Sequence, residues 1–172
     1  MDRTRLVLST LMSTPDAQLV SRRPSSMANF NRFCQSTLLL LIRIYFFWQL
    51  FKIGLAKLQN IATPIAYFTH LGIPYPEINA YVAGATECFG GILIVVGLAS
   101  RLAAFPVTFA MSVALWFAYR DAVLNIWGHP NKFLSADPLP FFFSALIILC
   151  FGPGWFSLDA ILGRLFRRKR EE

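Results

Sequence analysis

The chain has 172 residues, of which 56% are hydrophobic and only 15% charged, and it carries a net charge of +7. A mean hydropathy of +0.53 is more than a soluble domain of this size carries, so the composition points to a membrane protein. Five of the sixteen basic residues precede residue 35 and five follow residue 163. They are not laid out with aromatics over one face, and no nucleic-acid partner is indicated.

Residues 1–35 read as a poorly ordered cytoplasmic N-terminal extension. The LVLSTLM run near the start is too short and too polar for a cleaved signal, and SRRPSS follows it. A crossing helix needs about 20 mostly apolar residues, and four windows supply them, at about 37–58, 78–99, 102–120 and 139–158. The expected fold is therefore all-α, a polytopic four-transmembrane-helix bundle.

Between the first two spans lies TPIAYFTHLGIPYPEIN. Pro64 there suits a first helical turn, Gly72 a helix end and Pro74 with Pro76 an extended exit, which predicts a short interfacial helix. The second and third spans are joined by a tight hairpin at Ala99, Ser100 and Arg101. The third loop, RDAVLNIWGHPNKFLSADPLP, is polar and carries Trp127 and Phe133 at headgroup depth. Residues 164–172 form a basic cytoplasmic tail, read as a topology anchor that also touches anionic lipid. With both termini cytoplasmic, eleven Lys and Arg fall on that side against Lys57, Arg120 and Lys132 on the other. That bias predicts an N-in, C-in orientation in a cell membrane.

Three ionisable residues lie well inside the apolar windows: Arg43 and Lys52 in the first span and Glu87 in the second. Each costs about 2.5 to 3.5 kcal/mol at a helix centre, so each calls for a partner or water. Arg43, Leu50, Gly54 and Lys57 share one helical stripe, whereas Lys52 is turned about half a revolution away. Phase therefore selects Arg43 as the partner of Glu87. In the second span Gly84, Glu87 and Gly91 share a stripe beside Ala80 and Cys88, and small residues at that spacing let helices approach closely. Glu87 is expected to point into the bundle, either as half of a purely structural ion pair or as the lining of a small-molecule, proton or quinone-headgroup site.

Cys88 and Cys150 fall at similar expected depth, so a redox thiol pair is conceivable, but the absence of a CxxC spacing favours their reading as packing residues. His70 and His129 sit in loops without a ligand cluster, and no metal is expected. No nucleophile elbow, phosphate loop, dinucleotide fingerprint or HExxH occurs.

The residues carrying this argument also carry a likeness. Arg43 with Lys57 in GLAKL, the AYFTHLGIPYP segment, ECFGGILIVVGLASR with Glu87, Gly90, Gly91, Gly97 and Arg101, and FGPGWFSLDAIL with Gly152, Pro153, Gly154, Ser157 and Asp159 occur in order and at the right separations. Over residues 36–163 the chain resembles the DoxX family of small four-helix bacterial membrane proteins. The resemblance implies a plasma-membrane location and a link to thiosulfate:quinone oxidoreduction or to complexes handling thiol and oxidant stress. It carries over Arg43, Lys57, Glu87 and Arg101 as the polar positions, and Lys52 falls outside its pattern. Two readings follow. One is the membrane subunit of a quinone- or thiol/sulfur-linked oxidoreductase complex, with quinone as a diffusible cofactor and oxidoreductase subunits as partners. The other is a non-catalytic scaffold or small-solute permease.

Overall fold

The computed structural model describes residues 25–154 and 157–159. The chain divides into two units, Met1–Gln35 and Ser36–Glu172. Of the first, residues 25–35 are helical; the rest of the N-terminal extension and the basic tail lie outside the described residues. No strand occurs among the described residues.

Helix α1 (Ser25–Ile42) runs through one π-turn (Arg43–Phe47) directly into α2 (Trp48–Gln59). The wider turn leaves both Arg43 and Phe47 buried, and such single π-turns recur at functional positions in helices. Helix α3 (Ala62–His70) follows with Pro64 in its first turn, where a missing N–H costs nothing, and Gly72 stands just beyond its end at φ +70°. A helix is thus present between the first two spans. It packs on α4 (Pro76–Val96), which starts with proline at its first position and ends at Gly97. A short turn then leads to α5 (Ser100–Ala118).

The loop beyond α5 holds two short helices that the sequence reading did not anticipate, α6 (Arg120–Leu124) and α7 (Pro130–Leu134). Helix α8 (Pro138–Phe151) closes the described fold.

Three helical segments are long and apolar enough to cross a membrane: Asn29–Gln59, Pro76–Val96 and Ser100–Ala118. The fourth expected span is shorter than its apolar window. Gly152 at φ +79°, followed by Pro153 and a second left-handed glycine at 154, ends α8 after 14 residues. At 1.5 Å per residue α8 is about 21 Å long, against a hydrocarbon thickness of about 30 Å.

Helices α2 and α4 pack tightly, α5 lies against α4, α8 lies against α5, and the π-turn touches both α4 and α8. Leu39, Phe47, Leu50, Ile94, Ala104, Val107, Ala145 and Ile148 form the core between them. The outward faces stay apolar, with Leu102 77%, Phe105 66% and Phe109 67% exposed. Such a surface suits lipid and would be a liability in water.

Small residues set the α2–α4 distance. A Cβ placed on Gly54 would lie 2.8 Å from the Glu87 backbone carbon, and one on Gly91 would lie 2.8 Å from the Phe51 nitrogen. Gly84 faces Leu58 and Lys57. Read in order, 54 against 87, 51 against 91 and 58 against 84 describe an antiparallel pair, and that register decides which charged residues meet.

Candidate functional site: a buried carboxylate and its ammonium partner

Glu87 sits on the α4 stripe with Ala80, Gly84, Cys88 and Gly91, all buried. Its residue exposure is only 4%. The expectation that it points into the bundle holds, but its partner is Lys57. Lys57 Nζ donates to Glu87 Oε1 at 2.6 Å, with side-chain exposures of 29% for Lys57 and 5% for Glu87. The second carboxylate oxygen, Oε2, is buried without a hydrogen-bond partner. A buried carboxylate oxygen left unpaired is costly, so this atom marks a place where a donor belongs.

The predicted Arg43–Glu87 pair is corrected. Arg43, 1% exposed, spends its guanidinium on backbone oxygens: Nε donates to Ile94 O at 2.8 Å, Nη2 to Val95 O at 2.9 Å and Nη1 to Pro153 O at 2.7 Å. The physical reason is register. Because α2 and α4 run antiparallel with Gly54 against Glu87, Arg43 comes level with the last turn of α4, whose carbonyls lack the regular i+4 partners of a helix interior. A planar cation with several donors satisfies them. Helical phase had put Arg43 and Lys57 on one stripe correctly, but phase says nothing about how far one helix slides along another.

Around Arg43 a second polar centre forms. Gly97 adopts φ +81°, and a Cβ there would collide with the Arg43 guanidinium and lie 2.8 Å from Ser157 Cβ, so glycine is required for both conformation and space. Asp159 accepts from the Ala99 N–H at 2.9 Å and the Ser100 N–H at 3.2 Å, capping α5 through its carboxylate, while its own N–H donates to Gly97 O at 3.0 Å. Asp159 was noticed in the sequence only through the family likeness. Its capping role spans about sixty positions and has no local signal.

Arg101 belongs to this hairpin end, exposed, with Nη2 reaching Cys150 O at 3.4 Å. Lys52 is exposed and takes no part in the pair. The polar positions expected as one group therefore divide into Glu87 with Lys57 in one centre and Arg43 with Arg101 at the hairpin. Cys88 is buried and Cys150 exposed, and both are free thiols. Among the described residues no group of three or more His, Cys, Asp or Glu could hold a metal ion.

Chemically, Glu87 and Lys57 present one strong donor and one unengaged carboxylate oxygen inside an apolar bundle. Such a pair can accept, hold and return a proton, or grip a polar head that supplies both an acceptor and a donor.

Long apolar helices around a buried carboxylate–ammonium pair define a multi-pass helical membrane protein. Over residues 38–120, the stretch holding Arg43, Lys57, Glu87 and Arg101, the chain matches the model of the DoxX family. A protein of Haemophilus influenzae named "Uncharacterized protein" is 28% identical over 141 residues, 76% of this chain and 87% of its own length. A Bacillus subtilis protein named "Putative oxidoreductase CatD" is 38% identical over 63 residues, 37% of this chain and 46% of its own length. No solved structure matches.

Proposed function

We propose that the protein is the membrane subunit of a quinone-linked oxidoreductase complex that draws its electrons from thiol or sulfur compounds through partner subunits. The observation that carries this reading is the unpartnered Glu87 Oε2 held beside the Lys57 ammonium within a membrane-spanning segment. The oxidoreductase named from Bacillus subtilis supports it over the shared segment. In this reading α8 supplies the fourth span, α3 lies at the interface, and both termini are cytoplasmic in the bacterial plasma membrane.

A quinone, when bound, supplies two-electron, two-proton acceptor chemistry. In this reading the pair supplies the polar contacts for its headgroup. The Lys57 ammonium is a donor for a ring oxygen, and Glu87 Oε2 is an acceptor for a hydroxyl on the reduced ring or for a proton on its way to water. The apolar walls around the pair keep water from competing for these groups.

The test is gentle purification with native lipid, followed by solvent extraction and quantification of quinone per protein and identification of co-purifying proteins. Quinone should accompany the wild-type protein and be lost from Glu87→Gln and Lys57→Gln, while Arg101→Gln retains it. Wild-type protein that carries neither quinone nor an oxidoreductase partner would leave the scaffold or small-solute permease as the function.

A further inference from the structure

At the end of α5 away from the Gly97 hairpin, a hollow of about 460 Å³ is lined by Phe117, Tyr119, Arg120, Asp121, Lys132 and Ser135. This end of the bundle is poor in cations: of the four Lys and Arg from residue 57 to residue 138, Arg101 lies at the hairpin, which leaves Lys57, Arg120 and Lys132. Lys57 is committed to Glu87. The other two converge on the same hollow, and among the described residues neither is in an ion pair.

Two carboxylates stand nearby, and among the described residues neither is in an ion pair with Arg120 or Lys132. Asp137 is engaged by the Tyr119 hydroxyl at 3.0 Å. Burial, with that hydrogen bond second, pushes the Tyr119 hydroxyl above its ordinary value, so Tyr119 remains a neutral donor at physiological pH. Within the lining itself Arg120 and Lys132 face one carboxylate, Asp121. The Arg120 guanidinium carbon stands 5.6 Å from the Trp116 ring centroid, a cation–π contact that holds the side chain in place without neutralising it. Trp116 is half-exposed and Trp127 fully so, the kind of aromatic residue that is enriched at membrane–water interfaces.

We propose that this hollow is a binding site for a phosphate-class anion, gripped between Arg120 and Lys132. A phosphodiester of an anionic lipid and free inorganic phosphate share the required chemistry, namely a compact oxyanion able to take a forked guanidinium and an ammonium together. The site is separate from the Glu87–Lys57 pair and stands whether or not that pair binds quinone.

The experiment uses the full chain in phosphatidylcholine nanodiscs with and without phosphatidylglycerol, with retained lipid measured by native mass spectrometry. R120Q/K132Q should retain about tenfold less phosphatidylglycerol than wild type, whereas K52Q, which removes an exposed cation elsewhere, should retain the wild-type amount. Each single substitution should lose about threefold, so the comparison survives if the double variant does not fold. Displacement of the lipid by added inorganic phosphate identifies the free anion as a ligand, and resistance to it identifies the lipid. Equal retention by wild type, R120Q and K132Q, or an equal loss in K52Q, overturns the proposal.

Discussion

Lys57 and Glu87 are joined at 2.6 Å across the α2–α4 contact, but they are not equally buried, at 29% and 5% side-chain exposure. That asymmetry gives the pair a direction. Lys57 lies in the last turn of α2 and has a flexible stem that can carry its charge toward the boundary. Glu87 is in mid-helix and has no such exit.

Removing the cation should therefore cost more than removing the anion. Lys57→Gln strands a charge in the interior, for which about 3 kcal/mol is the lower end of what broken buried pairs lose. Glu87→Gln leaves Lys57 free to reorient and should cost less, and Lys57→Gln/Glu87→Gln should be more stable than Lys57→Gln alone. Thermal unfolding in mild detergent gives the order. If Glu87→Gln proved the more damaging single change, the asymmetry argued from exposure would be wrong.

Arg43 acts independently of Glu87. Its three backbone acceptors make Arg43→Gln expensive, at least about 3 kcal/mol given about 1.5 to 3 for each hydrogen bond from a charged donor. Arg43→Lys should recover only part of this, because an ammonium cannot reproduce the fork. Combined with Glu87→Gln, the losses should add to within about 0.5 kcal/mol. Rescue in that double variant would restore the direct pairing that phase alone suggests.

The glycine contact can be tested by the smallest addition. Gly54→Ala puts a Cβ 2.8 Å from the Glu87 backbone carbon, and backbone cannot rotate away. Overpacking of this kind costs about 1 to 3 kcal/mol, against at most about 1 kcal/mol gained in helix propensity. The variant should melt lower than wild type; a higher melting point would mean that α2 and α4 separate freely.

Topology is open to fusion reporters. The eleven-to-three distribution of basic residues predicts that a reporter active only in the cytoplasm works after Glu172 and fails at Asn131. Activity at Asn131 would contradict the N-in, C-in arrangement and the four-span proposal with it.

Apolar run lengths, proline positions and small-residue stripes were legible in the sequence because they are properties of one helix at a time. They gave the three long helices, a helix between the first two spans, the helix end at Gly72 and the inward aspect of Glu87. The length of α8 was misjudged where apolarity continues past a backbone that cannot remain helical, at Gly152, Pro153 and Gly154. That break was readable, but a composition window averages over it.

The partner of Glu87 was decided only by the tertiary structure. Periodicity fixes the rotation of a side chain about its own helix axis, and both Arg43 and Lys57 satisfied it. The slide of α2 along α4 is fixed instead by where glycine lets backbone meet backbone, at Gly54, Gly84 and Gly91. That slide sets Lys57 beside the carboxylate and Arg43 against the carbonyls of the last turn of α4.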